Sequence, residues 1–587
     1  TAVADILTLL QQWLSDDRFA TAKLAVVTSG AVAVDAGDDV RDLAQAAVWG
    51  LVRTAQTEHP DRFVLVDVDG HEDSPAALPA ALASGEPQLA VRAGAAHAAR
   101  LARVPLSAPE RRPGWDPQGT VRITGGTGAI GAHLARHLVT EHGVRHLLLT
   151  SRTGPAADGA ADLLSELAAL GAAAEVAACD AADRDALAAL LHGIDPAHPL
   201  TGVVHAAGAL ADSVVATMTP EQLDTALRPK VDAALNLHEL TAGHDLSEFV
   251  MFSSIAGVFG GMGQGNYAAA NSFLDALAHR RRSQGLPGAS LAWGLWANSG
   301  GMTGGLSDAD LQRIARGGIV AFTPAEGLAL FDAAGAVAEP VLLPLRLDTR
   351  AVRGQADTQG IPALLSGLVR APARRGTAGG EAETGGPDAA AALRKRLGGL
   401  NEAQRNRVLL ELVRSHASMV LGFTGPAAVE PGRGLLELGF DSLTAVELRN
   451  RLRAATGLRL PATLLFDYPT STAIAGHLAT EFVPDAASDA AAGPGPGSGP
   501  AIGIPELDQL ERVLDGGDLD GTARAALTER LRKLLDGLDP DGGTYGNGGG
   551  SSSGGNGNGK GTTIEDRMDG ATDDELFDLI DNELGSS

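Results

Sequence analysis

A glycine-rich turn between an apolar strand and an apolar helix constrains the fold of this chain more than any other feature. The run Thr124-Gly-Gly-Thr-Gly-Ala-Ile-Gly131 follows the β-rich segment 121–124 and precedes the helical segment 132–139. Its glycines allow a tight turn and a close approach of backbone amides to a pyrophosphate. Gly-rich turns also occur for packing alone, but this context predicts a dinucleotide site in a doubly wound α/β fold.

The end of the following strand indicates which dinucleotide the site binds. Enzymes that use NAD tend to carry an acidic residue there for the ribose hydroxyls, whereas this chain has Ser151-Arg152. A guanidinium can bind a 2′-phosphate bidentately, so the sequence favours NADPH. The alternative is that Arg152 is a solvated loop residue.

Bulk properties limit the class of protein. The 587 residues are too many for one core, and the single cysteine, Cys179, excludes an intrachain disulfide. A signal sequence and a membrane span are both absent from the sequence pattern. The net charge of −26 disfavours nucleic acid as a partner. We therefore expect a cytoplasmic protein that binds neither membrane nor nucleic acid.

Composition and periodicity divide the chain into segments. Strand and helix patterns alternate as far as about Asp348, and only the second half of that region carries the glycine turn. Gly-rich and Pro-rich stretches then separate shorter helical patterns. The predicted segments are an N-terminal α/β domain (1–110), a nucleotide-binding α/β domain (111–350), a linker (351–404), a small helical domain (405–484), a linker (485–503), two short amphipathic helices (504–540), a flexible linker (541–562) and an acidic amphipathic helix (563–587).

Three polar residues suggest ketone reduction. Reduction of a carbonyl needs a proton donor and a hydrogen bond to the oxygen that gains charge, which Tyr267 and Ser254 can provide. A phenol is a weak acid, with a pKa of about 10, so a cation such as Lys230 must stabilise the phenolate. Taken singly, each residue also has a structural interpretation, as a strand-end cap, a half-buried aromatic or a solvated charge.

The arrangement of Lys230, Tyr267 and Asn271 resembles the ketoreductase domains of polyketide and fatty acid synthases. In most short-chain reductases the lysine follows the tyrosine by four residues, whereas here Asn271 occupies that place and the lysine precedes the tyrosine. The resemblance implies a Rossmann-like catalytic subdomain, braced by a structural subdomain whose first strands are missing from this sequence. It also implies that Asn271 positions Lys230 and a water molecule. The implied cofactor-binding residues are Gly126, Thr127, Gly128, Ile130, Gly131, Ser151, Arg152, Asp180, Ala206 and Lys230.

Two loops resemble regions that control stereochemistry in these ketoreductases. B-type enzymes carry Leu-Asp-Asp after the fourth strand, and this chain has Leu210-Ala211-Asp212. A-type enzymes carry a tryptophan eight residues before the tyrosine, where this chain has Phe259. Met262 replaces a proline that is common in epimerising B-type domains. The resemblance therefore favours B-type reduction to a D-hydroxyl without epimerisation, with Ala211 as the departure from the pattern.

The small helical domain resembles an acyl carrier protein of four helices. Leu438-Gly-Phe-Asp-Ser-Leu443 is similar to the phosphopantetheine attachment motif, and Leu465-Phe-Asp-Tyr-Pro-Thr470 is typical of the sequence that follows it. Ser442 would lie at a helix N-terminus, where the helix dipole favours a phosphodiester. An ordinary serine cap is the alternative. The resemblance implies covalent 4′-phosphopantetheine on Ser442, attached by a phosphopantetheinyl transferase.

Nearly the whole sequence is therefore similar to the C-terminal part of a modular type I polyketide synthase. This implies NADPH-dependent reduction of a carrier-bound β-ketoacyl chain, followed by transfer to the next synthase polypeptide through the C-terminal docking helix. Upstream ketosynthase and acyltransferase domains are the implied partners, and helices in 504–540 would form a homodimer. No metal is expected. The alternative is a carrier and docking scaffold with a vestigial or only epimerising reductase domain.

Overall fold

The chain divides into two units, residues 1–488 and 489–587. The computed structural model describes most of the first unit: residues 2–35, 37–104, 114–297, 311, 314–315, 317–359, 361–369, 387–423, 425–461 and 463–482. The predicted linker 485–503, amphipathic helices 504–540, flexible linker 541–562 and docking helix 563–587 lie outside these residues.

The N-terminal domain contains a four-stranded sheet. Strands β1, β2 and β3 are parallel and β4 runs antiparallel to β3. Asp42 begins helix α2, because its carboxylate accepts a hydrogen bond from the Gln45 amide at 2.9 Å. The elements are α1 (Ala2–Ser15), β1 (Leu24–Ser29), α2 (Leu43–Glu58), β2 (Phe63–Val68), α3 (Ser74–Ala83), β3 (Gln88–Arg92) and β4 (Ala95–Ala98).

The second domain contains a parallel sheet of seven strands in the order β12-β10-β9-β8-β5-β6-β7. The order reverses between β5 and β8, and this reversal opens a crevice at the carboxyl ends of the strands. The strands are β5 (Thr120–Thr124), β6 (His146–Ser151), β7 (Ala173–Ala178), β8 (Leu200–His205), β9 (Glu248–Ser254), β10 (Ala289–Trp293) and β12 (Val341–Leu342). This confirms the expected doubly wound Rossmann fold.

Helices connect these strands and cover the sheet. They are α4 (Ala129–Thr140), α5 (Ala160–Ala169), α6 (Arg184–His192), α7 (Pro220–Leu227), α8 (Ala233–Leu240), α9 (Ala256–Phe259), α10 (Gly265–Ser283) and α11 (Pro324–Gly335). A π-helical turn, Arg228–Asp232, joins α7 to α8. Two further strands, β11 (Ile319–Val320) and β13 (Arg346–Leu347), form an antiparallel pair.

Helices α2 and α10 hold the two α/β domains together. A Cβ atom on Gly50 of α2 would lie 2.2 Å from the carbonyl oxygen of Ala268 in α10, so only glycine permits this approach. A Cβ atom on Gly260, whose φ is +78°, would lie 2.3 Å from the carbonyl oxygen of Arg53 in α2. The Arg53 guanidinium also donates to the Gly257 carbonyl at 2.7 Å. The N-terminal domain therefore supports the segment immediately before α10.

The small helical domain has its own apolar core. Its elements are α13 (Pro387–Gly398), α14 (Glu402–Leu421), α15 (Ser442–Thr456), α16 (Leu464–Asp467) and α17 (Ser471–Glu481). Leu409, Leu448 and Leu464 are fully buried there. Leu397 of α13 belongs to the same core, although the sequence places it in a linker.

Part of the predicted linker 351–404 is therefore helical. Helix α12 (Thr349–Gln359) enters it, and α13 lies wholly within it. Val352, Leu365 and Val369 bury their side chains in a small cluster. The Gly, Ala, Pro and Arg composition concealed these contacts because it shows no apolar periodicity. Within the described part of the chain, no helix combines the length and the apolar content needed to span a bilayer.

Candidate active site

A cavity of about 330 Å³ opens at the carboxyl ends of β5 and β6. Eight of the ten predicted cofactor-binding residues line it: Thr127, Gly128, Ile130, Gly131, Ser151, Arg152, Asp180 and Ala206. Gly126 and Lys230 are not among the lining residues. The crevice that the strand order creates thus coincides with most of the predicted site.

The glycine turn shapes one wall of the cavity. A Cβ atom on Gly131 would lie 2.3 Å from the carbonyl oxygen of Gly125, so a side chain there would push the helix away from the turn. Gly125 itself adopts φ of +67° and lines the cavity, although it is not among the predicted cofactor-binding residues. Gly126 instead packs against Leu149, where a Cβ atom would come within 2.9 Å of the leucine Cβ. Gly126 thus has a packing contact, and its contact with the cofactor stays a prediction.

The cavity presents a guanidinium and a helix N-terminus, and both are suited to phosphate groups. Arg152 is exposed at its rim, at the end of β6, and the N-terminus of α4 faces the glycine turn. Asp180, one of the implied cofactor-binding residues, also lines the cavity. Its carboxylate forms an ion pair with Arg228 at 2.9 Å, a contact that no sequence pattern indicates. The rim of the cavity thus presents the exposed guanidinium of Arg152 and the carboxylate of Asp180, which is paired with Arg228.

Lys230 lies on the π-helical turn and is only 2 % exposed. π-Helical turns often occur at functional sites. The lysine Nζ donates to the Phe252 carbonyl at 2.7 Å. Burial lowers the pKa of Lys230 to about 7, against the opposing charge of Asp275. The amine is therefore poised to exchange its proton near neutral pH.

Tyr267 lies beside Lys230 on the first turns of α10. The lysine Nζ is 5.4 Å from the centroid of the tyrosine ring. Burial raises the pKa of Tyr267, and the nearby polar groups of Asn271 and Ser254 oppose the rise. The phenol therefore remains protonated at neutral pH and is available as a proton donor.

Asn271 is fully buried one turn after Tyr267. Its Nδ2 donates to the Tyr267 carbonyl at 2.8 Å. Its Oδ1 is buried and makes no hydrogen bond to any described residue. The Nδ2 contact is with the tyrosine backbone, and the implied role of Asn271 in positioning Lys230 stays a prediction. The free Oδ1 leaves an acceptor for a water molecule.

Ser254 ends strand β9 near the tyrosine. Its Oγ accepts a hydrogen bond from the Ala256 amide at 3.2 Å. This contact uses an oxygen lone pair and leaves the hydroxyl proton free for another acceptor. The strand end thus presents Ser254 as a donor.

Asn266 was overlooked in the sequence, although it precedes Tyr267 directly. Its Nδ2 donates to the carbonyls of Ala211 and Gln222, both at 2.8 Å, and its Oδ1 accepts from the Tyr267 amide at 2.7 Å. One buried amide therefore fixes the start of α10 against the loop after β8. Asparagine next to the tyrosine was the only available signal, and it does not show which backbone groups it contacts.

The two predicted stereocontrol loops contact one another. The Ser213 amide donates to the Gly263 carbonyl at 2.7 Å, and Gln264 donates to the Asp212 carboxylate at 3.2 Å. Leu210 and Met262 are half-buried in these loops. Phe259 packs instead against the cluster that contains Val352 and Leu365.

Ser442 is the exposed first residue of α15. Asp441 caps the helix by accepting from the Thr444 amide at 2.8 Å, so Ser442 itself is not the cap. The alternative interpretation of Ser442 as an ordinary N-cap is therefore wrong. Its hydroxyl lies at the positive end of a helix of 15 residues.

Three family models match the chain. The "KR domain" model matches residues 119–298 and the "Phosphopantetheine attachment site" model matches residues 411–478. Residues 1–101 match the model described as "Polyketide synthase extender module SpnB, Rossmann fold domain". Each match covers one of the folded regions described above.

Curated relatives are similar over much of the chain. Polyketide synthase GfsA of Streptomyces halstedii is 49 % identical over 582 residues, which is 99 % of this chain and 7 % of that protein. Pikromycin polyketide synthase component PikAII of Streptomyces venezuelae is 48 % identical over 81 % of this chain and 12 % of its own length. The chain thus spans a small fraction of each of these proteins.

Solved ketoreductase structures are similar to this chain in fold and in sequence. A structure described as A-type ketoreductases from a modular polyketide synthase is 43 % identical, with a TM-score of 0.57, over 62 % of this chain and 77 % of that one. The first ketoreductase of the tylosin synthase is 38 % identical, with a TM-score of 0.54, over 62 % and 80 % of the two chains. The chain belongs to the ketoreductases of modular polyketide synthases and carries a phosphopantetheine attachment domain.

Proposed function

We propose that this chain reduces the β-keto group of an acyl chain held as a thioester on the phosphopantetheine of Ser442, with NADPH as the reductant. The observation that carries this proposal is the position of Lys230 next to Tyr267, with Nζ 5.4 Å from the ring centroid. Lys230 directly follows Pro229, which lines the dinucleotide cavity.

Each polar residue has a distinct part in the reaction. NADPH, when bound, supplies the hydride that adds to the ketone carbon. The Ser254 hydroxyl donates a hydrogen bond to the ketone oxygen. Its proton is available for this, since the contact with the Ala256 amide uses only an oxygen lone pair. The Tyr267 hydroxyl transfers its proton to that oxygen as the carbonyl becomes an alcohol. The Lys230 ammonium stabilises the phenolate that remains.

The phenolate must recover a proton before the next turnover. Lys230 can supply it, because its pKa of about 7 allows loss and recovery of a proton near neutral pH. The buried Oδ1 of Asn271 can hold a water molecule that replaces the lost proton. Asn271 is thus a positioning residue, while Tyr267 and Ser254 contact the substrate.

The carrier domain keeps the substrate on the same polypeptide. Ser442 is exposed at a helix N-terminus, where backbone amides and the helix dipole favour an attached phosphodiester. A phosphopantetheinyl transferase would attach the arm. Upstream ketosynthase and acyltransferase domains would supply the acyl chain, and segment 563–587, for which the sequence predicts a docking helix, would deliver it to the next synthase polypeptide. Segment 504–540, for which the sequence predicts two amphipathic helices, would form the homodimer.

We assign B-type stereochemistry, without epimerisation, from the two stereocontrol loops. Leu210 and Asp212 retain two positions of the B-type motif, and Asp212 is held by Gln264 beside the active site. Overall likeness does not decide the product, because similar solved structures include enzymes described as A-type and C2-type. Chiral chromatography of the released hydroxyacid should show the D-hydroxyl, and an L-hydroxyl would overturn the assignment.

The test of the main proposal uses the full chain, loaded at Ser442 with a β-ketoacyl-pantetheine by a phosphopantetheinyl transferase. Mass spectrometry after addition of NADPH should show that the cargo gains two hydrogens. Tyr267→Phe should retain the loaded arm but leave the cargo unreduced. Ser442→Ala should not be loaded, yet should still reduce a free β-ketoacyl thioester. Equal turnover in wild type and Tyr267→Phe, or none in wild type, would favour the scaffold interpretation.

A further inference from the structure

The carrier domain contacts the N-terminal domain through one face of helix α15. Arg449 donates to the Glu58 carbonyl, and Asn450 donates to the same oxygen at 3.1 Å. Arg453 donates to the Pro60 carbonyl at 2.7 Å and forms an ion pair with Asp61 at 3.0 Å. We call residues 57–61 the docking corner.

The docking corner is suited to cationic side chains. It follows the C-terminus of α2, where the last helical carbonyls lack partners within the helix and carry partial negative charge. Arginine and asparagine side chains of α15 donate hydrogen bonds to carbonyls of this corner. Arg449 is only 5 % exposed, so its guanidinium is removed from water by the contact. A buried arginine of this kind is typical of the centre of an interface.

The same contact brings the attachment site to the active site. Leu443, which directly follows Ser442, lies against Gly263: a Cβ atom on that glycine would be 3.2 Å from the leucine Cδ1. Gly263 belongs to the loop that leads into α10, four residues before Tyr267. An arm on Ser442 would therefore start beside the loop that borders the catalytic tyrosine.

Glu58 connects the docking corner to both stereocontrol loops. While its carbonyl oxygen accepts from Arg449, its carboxylate accepts from the amides of Val215 at 2.7 Å and Gly263 at 2.9 Å. The side chain is fully buried. One residue of the N-terminal domain thus contacts the carrier helix, the loop after β8 and the loop before α10.

We propose that the docking corner is the surface on which this chain's own carrier domain is seated while its thioester is reduced. The proposal rests on the proposed reductase function and adds the site of carrier recognition. Recognition depends on Arg449, Asn450 and Arg453, which follow Ser442 on one helix, so the contact sets the position of the attached arm.

The first test compares two substrates on the same full chain. An Arg449→Ala/Arg453→Ala variant should reduce the Ser442-bound thioester about 10-fold more slowly in a single turnover. The rate with a free β-ketoacyl thioester should stay within about twofold of wild type. Arg433→Ala is the matched control, because this exposed arginine pairs with Glu437 inside the carrier domain. An unchanged rate for the bound thioester, or an equal loss with both substrates, would overturn the proposal.

The second test does not depend on catalysis. In an Asp61→Cys/Arg453→Cys variant, Arg449 and Asn450 still hold the contact, and a short bismaleimide should link the two cysteines. An Asp61→Cys/Arg433→Cys pair is the control and should link poorly. Equal yields for the two pairs would contradict the docking corner. If wild type reduces neither substrate, the reductase function fails, whereas the crosslinking yields still decide where the carrier binds.

Discussion

Lys230 and Tyr267 come from different elements, yet the lysine Nζ lies 5.4 Å from the centroid of the tyrosine ring. A π-helical turn carries the lysine and α10 carries the tyrosine. The Phe252 carbonyl at the end of β9 accepts from the lysine and fixes its position. A cation and a phenol that are well separated in the sequence therefore meet near the carboxyl end of β9.

This pair predicts how reduction depends on pH. Burial lowers the pKa of Lys230 to about 7, so the free chain loses the lysine proton as pH rises through that value. Burial raises the pKa of Tyr267, so the phenol keeps its proton over the same range. We expect kcat/KM for NADPH to fall as pH rises above about 7, because the neutral amine no longer stabilises a phenolate.

Initial rates at limiting NADPH, from mildly acidic to mildly alkaline pH, measure this fall in kcat/KM. The value of kcat/KM reports the ionisation of groups in the free enzyme. Lys230→Met should have a low rate at every pH, without the decrease in kcat/KM above about pH 7. A wild-type profile that stays flat on both sides of pH 7 would contradict the assignment to Lys230.

Arg152 should determine the choice between NADPH and NADH. Its exposed guanidinium at the cavity rim can bind the 2′-phosphate, and a hydrogen bond to a charged group contributes about 1.5 to 3 kcal/mol. Arg152→Asp should therefore reduce the preference for NADPH by about 10- to 100-fold, measured as the ratio of kcat/KM values. Arg136→Asp, at an exposed arginine paired with Glu166, should leave the ratio unchanged. A preserved ratio in Arg152→Asp would place the phosphate elsewhere.

Gly131 should be required for the cofactor cradle. In Gly131→Ala the new methyl group would meet the Gly125 carbonyl at 2.3 Å, and the helix must move away from the turn. Such overpacking costs about 1 to 3 kcal/mol. We expect a lower Tm and weaker NADPH binding, followed by the change in nicotinamide fluorescence. Gly193→Ala is the control, because its Cβ atom would have ordinary contacts at 3.4 Å. Full NADPH affinity in Gly131→Ala would show that the close approach is not needed.

The sequence was sufficient where local patterns determine structure. Strand β5 (Thr120–Thr124) contains the whole predicted segment 121–124, because a short β-branched run before a glycine turn is typical of a buried strand. The glycine turn predicted the cavity for a similar reason. The chain order of strand, turn and helix fixes where that cavity forms.

Contacts between distant segments were harder to predict. Nothing in the sequence indicates that the carboxylate of Glu58 accepts from Val215 and Gly263, because these amides lie 157 and 205 residues further along the chain. Asn266 was missed for the same reason. Helix α13 was assigned to a linker, because its contribution to the carrier core depends on packing against α15 rather than on its own periodicity.

His205 should make the stability of the chain depend on pH. It is fully buried, and its Nδ1 forms a hydrogen bond with the Thr124 hydroxyl at 2.8 Å. Burial lowers the pKa of this histidine from 6.5 to about 3. Between these values the unfolded chain binds a proton that the folded chain excludes, so the contribution to stability is complete above pH 6.5 and is lost progressively towards pH 3.

Thermal unfolding of the full chain between pH 7.5 and pH 5 measures this effect, with both values chosen to straddle the pKa of about 6.5 of an unfolded histidine. The Tm of wild type should fall across the range, and His205→Asn should show a smaller fall because its side chain does not titrate. His244→Asn, at an exposed histidine, should behave like wild type. If His205→Asn and wild type lost the same Tm, the pH dependence would arise from other groups and His205 would not be the buried neutral histidine described here.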